Sequence, residues 1–258
     1  MTDPRPQPAH LPEVILAADF RHAFGVDLRL RRGAQRGILH RLGRGQYTPA
    51  EVWAGLNRDQ RYAVTVRAAA HSRTGAFPLS HHSAAALWGL PLLAHWPHEV
   101  HFLTERASGG RSDPGIRKHA VGFDDQDVEL RDGVLVTSIA RTVIELATVV
   151  DLRSAVAAAD RALAVDRTGR TPPLTDRAAL LETWQRMLPF RGSVRARTVI
   201  DFATDLSGSP MNRAAASRSR WPDCPIRCSS TDSSSTIGRC TPTSSGRPDA
   251  AWARATVG

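Results

Sequence analysis

"LRRGAQRGILHRLGRGQYTP", residues 30–49, is the stretch whose reading decides the fold. Ile38, His40 and Leu42 alternate with Leu39 and Arg41, Gly43 to Gly45 supply a turn, and Gln46 to Thr48 return, which is the pattern of a β-hairpin. Gly37 stops a helix just before it, and Asp27 can cap that helix through Arg36, with Leu28 and Leu30 facing inward and arginines projecting outward. Upstream, Val14, Ile15, Ala18, Ala23 and Phe24 fit short helices separated from it by a turn at Gly25. Three helices followed by a basic hairpin is the order of a winged helix-turn-helix. In that architecture the last helix enters the major groove while the wing meets phosphate or the minor groove.

The spacing therefore assigns Arg29, Arg31, Arg32 and Arg36 to a recognition helix, and His40, Arg41 and Arg44 to the wing. Arginine suits both places, because its fork can bond guanine O6 and N7 together and its charge neutralises phosphate. The competing reading is a solvated charged face.

Charge points the same way. The chain has 258 residues, a net charge of +9 and a pI near 10.9, which favours an acidic partner, nucleic acid above all. Lys118 is its single lysine, so a GC-rich coding sequence also inflates arginine. No apolar run approaches the roughly 20 residues needed to cross a bilayer. The Pro-rich start, "MTDPRPQPAHLPE", lacks the apolar centre of a signal peptide, and residues 1–223 contain no cysteine. A cytoplasmic protein with no membrane partner is expected.

Beyond the hairpin the pattern predicts helices over 57–72 and within "LSHHSAAALWGLP" (79–91), where Ser80 or Ser83 could cap and Gly89 with Pro91 would close. "HEVHFLTE", "GIRKHAV" and "GVLVTS" alternate as strands do. Ser138 caps a helix through "IARTVIELATVV", and further helices are expected at 151–164, 175–187 (capped by Thr175) and 193–206.

Chemical motifs are sparse. His81, His82, His101 and His119 could be zinc ligands or bases, but no carboxylate or cysteine accompanies them at a familiar ligand spacing. His101 and His119, in strand-like segments, read better as hydrogen-bonded core histidines, and "SHHS" as capping a helix and tying it to the sheet. Cys224, Cys228 and Cys240 are three where a structural zinc site wants four ligands, and no histidine follows His119. Asp124, Asp125 and Asp127 read as a solvated loop. No nucleophile elbow, P-loop or dinucleotide fingerprint is present. The expectation is no metal, no cofactor and no catalytic residue.

Residues 30–49, together with "LSHHSAAALWGLP", "VHFLT" and "GVLVTSIARTVIELA", resemble the AbiEi-type antitoxins of type IV toxin–antitoxin systems, in an actinobacterial group that shares this order of motifs. The resemblance covers roughly residues 14–211. It implies a DNA-binding autorepressor acting through helix and wing, with double-stranded DNA as partner and a cognate toxin as a candidate second partner. Relatives in that group continue into an endonuclease-like domain similar to very-short-patch repair nucleases, which opens near "SP-x-E-S" and carries "D-F-x-W-P" and then "G-E-x-D-G".

This chain has "SGSPM" at 207–211 and then departs. Reading codons from the third base of each stated codon restores the missing pattern. Met211–Asn212 then forces glutamate and Trp252–Ala253 forces glycine, and permitted third bases allow "ADFLWP" and "GEGDG" in the family's order. Loss of one G would suffice. We expect a frameshift near residue 211, which makes the three cysteines by-products of codon overlap. A nuclease of that class clusters carboxylates around a divalent metal, and Asp223, Asp232 and Asp249 do not occupy the matching positions.

The sequence thus predicts an α+β protein: a disordered leader (1–12), a winged-helix domain (13–55), a mixed α/β domain (56–150), a helical segment (151–206) and a disordered, frameshifted tail (207–258). The expected function is DNA binding of the antitoxin-like regulatory kind, without enzymatic activity. The alternatives are a catalytically dead remnant of an endonuclease-domain protein and a protein-interaction module.

Overall fold

The computed structural model describes residues 11–20, 25–73, 77–105, 113–165 and 172–205. Most of the expected leader and all of the expected tail, with its three cysteines, lie outside the described residues. The described residues combine helices and strands, as the sequence predicts, and all fall within the unit spanning Met1–Arg220.

The N-terminal part is built on a three-stranded antiparallel sheet. Strand β1 (Ile15–Leu16) pairs with β3 (Gln46–Pro49), which pairs with β2 (Leu39–Gly43), giving the order β1-β3-β2. The helix expected around residues 14–18 is therefore a strand and a 3-10 turn (Ala17–Phe20). The cause is tertiary. Ile15 and Leu16 align with Tyr47 and Gln46, and Tyr47, 1% exposed, is buried in this small sheet. Thr48 Oγ1 also donates to the carbonyl of Glu13 at 3.3 Å, which holds the entering chain alongside β3.

Helix α1 (Val26–Gln35) precedes the hairpin. Its N-cap is Gly25 in the left-handed region (φ 74°), not Asp27, which lies in the first turn and pairs with Arg31 at 2.6 Å. The helix ends in a Schellman motif: Gly37 N–H donates to Ala34 O at 3.1 Å and Ile38 N–H to Gly33 O at 3.0 Å, with Gly37 at φ 74°. Val26, Leu30, Gly33 and Ala34 are half-buried, and Gly33 lets the helix approach Leu39, since a Cβ there would lie 3.1 Å from Leu39 Cδ1. Leu28, expected to face inward, is 51% exposed, because the helix packs on a narrow stripe centred on Leu30 and Gly33.

Helices α2 (Ala50–Gly55) and α3 (Arg58–His71) follow, the second opened by a capping box between Asn57 and Gln60. The remaining elements are α4 (His81–Trp88), β4 (Val100–Thr104), β5 (Ile116–Ala120), β6 (Val128–Arg131), β7 (Val134–Thr137), α5 (Ile139–Val149), α6 (Leu152–Leu163), α7 (Arg177–Met187) and α8 (Ser193–Phe202). Parallel β4–β5 and antiparallel β6–β7 are joined by Pro78–Ser80. The Leu79 N–H and C=O bond Leu135 and Thr137, while Pro78 O and Ser80 N–H bond Leu103 and His101.

Helix α5 is the hub, with Ile139 through Ala147 all buried. It carries one apolar cluster that takes in α3, α4, β4, β7 and α6 to α8, with Leu79, Leu87, Leu146 and Leu180 at 0% exposure. Each such leucine contributes on the order of 2 kcal/mol by leaving water. Ser138 caps α5 as expected, whereas α7 is capped by Asp176, one residue beyond Thr175. No helix among the described residues is long and apolar enough to cross a membrane.

Candidate functional site

Two places in the structure gather chemistry. The first is the surface of α1 and the β2–β3 hairpin. Arg29, Arg31, Arg32, Arg36, Arg41 and Arg44 are all exposed. Arg29, Arg32 and Arg36 are spaced i, i+3, i+7 and share one side of α1, next to the buried stripe rather than opposite it. Arg31 projects from another side and closes an i, i+4 pair with Asp27. In the hairpin, Arg41 Nε donates to Gly43 O at 3.1 Å, which shapes the bulge before the Arg44–Gly45 turn.

His40 is placed differently from the arginines. Its ring stacks on Trp53 of α2, with centroids 4.2 Å apart and planes 9° apart, and Arg61 lies over the same indole at 5.5 Å. Burial first, then the Arg61 charge, lowers its pKa below the ordinary value, so the imidazole is a neutral packing group between hairpin and helix.

The second place lies on one face of the β4–β5 pair, against the start of α4. His81 opens α4, His101 is on β4 and His119 on β5, and the ligand-capable atoms of these three all lie within 4.8 Å of one another. The parallel register aligns His101 with Arg117 and Leu103 with His119, so His101 and His119 are diagonal neighbours on one face. His101 Nδ1 and His119 Nε2 are 3.0 Å apart, a distance that holds one shared proton. His81 stacks on His119, centroids 3.8 Å apart, and His82 tilts against His101 at 4.9 Å.

His81 is held in an unusual backbone state, φ 50°, at the first residue of α4. Its N–H donates to Glu145 Oε2 at 3.1 Å, and its Nδ1 lies 3.1 Å from Ser80 Oγ and 3.7 Å from that carboxylate. Burial comes first in holding all four imidazoles below their ordinary pKa, followed by repulsion from neighbouring histidines for His81, His82 and His101 and by the Arg117 charge for His119: His101 to about 3, His82 and His119 to about 4, and His81 well down. His101 Nε2 and His82 Nδ1 are buried without a hydrogen-bond partner among the described residues. The hydrogen-bonded core histidines that the sequence suggested are thus satisfied in part and left open in part.

Behind the cluster runs a buried ion network. Arg141 Nε bonds Glu145 at 2.8 Å and its Nη1 bonds Asp127 at 2.6 Å, while Arg186 reaches Asp127 from α7 at 2.5 Å. Asp127, expected in a solvated loop, is 3% exposed. Burial alone would raise its pKa, but the Asp124 N–H and the two guanidiniums outweigh that and hold it low. Burial raises Glu145, against the pull of Arg141. Two arginines and two carboxylates balance in formal charge, which is how four such groups are tolerated together in the interior. A cleft of about 470 Å³ opens over this network, and His81, His119, Asp124, Asp127, Arg141 and Arg186 are among its walls.

Neither a protein-family model nor a curated protein sequence matches this chain.

Proposed function

We propose that this protein binds double-stranded DNA as a cytoplasmic regulator of the AbiEi antitoxin type, with α1 as recognition helix and the β2–β3 hairpin as wing. The observation that carries this reading is α1 itself. It buries no residue fully, it presents Arg29, Arg32 and Arg36 on one exposed side, and it runs through a Schellman stop into a hairpin tipped by Arg44. A ten-residue helix so poorly buried is kept in place by its glycine approach to Leu39 and its ends, which leaves its outer sides free for a ligand. Six exposed arginines there suit phosphate, and the i, i+3, i+7 row suits base edges in a major groove. His40 serves this surface from beneath, packing the wing against Trp53.

Duplex binding followed by fluorescence anisotropy across a salt series tests the proposal. Wild-type affinity should fall steeply with salt. Arg41→Ala with Arg44→Ala, in the wing, should weaken binding and flatten the log–log slope by about 1.8, at about 0.9 per lost phosphate contact. Binding that keeps its affinity and slope in that variant sinks the assignment. The toxin partner and the autorepressor role rest on the resemblance, and co-purification with a toxin encoded by an adjacent gene tests them.

A further inference from the structure

We propose that His81, His101 and His119 form a binding site for one zinc-class divalent transition-metal ion, with its remaining coordination position turned toward the cleft beside them.

The geometry comes close to what such an ion needs. Zinc binds imidazole nitrogen at about 2.0–2.1 Å, so tetrahedral ligands sit about 3.3 Å apart. His101 Nδ1 and His119 Nε2, at 3.0 Å, have to part by only a few tenths of an ångström, the ion taking the place of the proton they share. The His81 ring, whose ligand-capable atom lies within 4.8 Å of both, has to turn out of its stack on His119.

The surroundings favour that role over simple packing. His101 is 3% exposed, and its Nδ1, the atom offered to the ion, meets another imidazole nitrogen, His119 Nε2, rather than a carbonyl or hydroxyl. The Nδ1 side of His81 faces Ser80 Oγ and the Glu145 carboxylate, which leaves its Nε2 as the nitrogen available to an ion. With the ring turned onto the ion, a hydrogen bond from Nδ1 to either of these oxygens would orient it and strengthen it as a ligand. The Glu145–His81 backbone bond and the left-handed φ at His81 hold this residue in place against its own conformational preference. Three imidazoles with no thiolate suit zinc, cobalt and nickel better than calcium or magnesium, which want oxygen. His81 and His119 line the cleft, so a fourth ligand can enter from that side. This inference does not depend on DNA binding.

The test uses the untagged full chain, stripped of metal. Zn²⁺ is titrated in competition with a chromophoric chelator, and Co²⁺ is followed by its visible absorption. The wild type should take up one ion per chain, with the intense visible bands of low-coordinate cobalt. His119→Ala, at the half-exposed cleft edge, and His101→Asn should each weaken Zn²⁺ binding by about a hundredfold or more, since even losing a supporting partner costs about 10–100-fold. His82→Ala, beside the three but outside them, should stay within about threefold of wild type. Circular dichroism identifies a variant that fails to fold, and the more exposed His119→Ala then decides. Failure of the wild type to bind a stoichiometric ion overturns the proposal, and so does binding that His119→Ala leaves undiminished.

Discussion

The carboxylate of Glu145 accepts a hydrogen bond from the backbone N–H of His81 at 3.1 Å, joining the middle of α5 to the first residue of α4 across 64 positions of sequence. The same side chain bonds Arg141 at 2.8 Å and receives the Thr137 hydroxyl at 3.4 Å. One buried acid therefore fixes the histidine cluster, the arginine network and the end of β7 relative to one another.

Glu145→Ala should be strongly destabilising. It leaves Arg141 in the interior with Asp127 as its one remaining acid partner and takes the acceptor from a strained His81. Losing one member of a buried ion network costs about 3–5 kcal/mol. Urea denaturation should show a large drop in midpoint, and a midpoint within error of wild type would mean that the network carries no stability.

Gly37→Ala should loosen α1 from the hairpin. At φ 74° an L side chain costs about 1–2 kcal/mol, with nothing within 4 Å to add a clash. Amide hydrogen exchange should rise across Gly33–Ile38, whose Schellman bonds depend on that conformation, and duplex affinity should fall with it. Unchanged protection in the variant contradicts this account.

Asp27→Asn separates helix stability from DNA affinity. The Asp27–Arg31 pair is exposed and worth about 0.3–0.5 kcal/mol. Breaking it removes a negative charge from α1, on a side other than the Arg29–Arg32–Arg36 row, and releases a guanidinium, so duplex binding at low salt should tighten modestly through the longer-range field while stability barely changes. Weaker binding by this variant would count against α1 as the docking helix.

Stability should fall in mild acid. A histidine whose folded pKa lies below its unfolded value near 6.5 stays neutral while the unfolded chain takes up protons. Stability therefore drops as pH falls from about 6.5 and levels off at the folded values, about 4 for His82 and His119 and about 3 for His101. His101 alone contributes a slope of at most about 1.4 kcal/mol per pH unit through that window. His101→Phe should flatten the dependence of the denaturation midpoint between pH 6.5 and 4, and an equal slope in both proteins rules His101 out as a source of it.

Local rules proved legible where one element decides them. Gly37 ends α1, Ser138 caps α5, and the alternation at 38–48 is a hairpin, because caps, stops and two-residue periodicity are set by residues a few positions apart. Ile15–Leu16 failed the same treatment. Two apolar residues fit a helix or a strand equally well, and the partner that chose strand, Tyr47, lies more than 30 residues away. Asp127 resembled its solvated neighbours Asp124 and Asp125 until Arg141 and Arg186 arrived from α5 and α7 to bury it. His40 carried a wing residue's spacing, yet its contact with Trp53 belongs to a helix that the pattern did not announce.

By itself, then, the sequence determined the mixed α and β class, the positions of the main helices and the exposed arginines of α1 and the hairpin, since each follows from periodicity and charge along a short segment. Tertiary structure alone decided the histidine cluster. His81, His101 and His119 sit about 20 residues apart on three elements, and a parallel strand pair, the Pro78–Ser80 bridge and the hydrogen bond from the His81 N–H to Glu145 bring them together. No short-range signal records such a meeting, because the packing that creates it is held by residues that are not themselves part of the site.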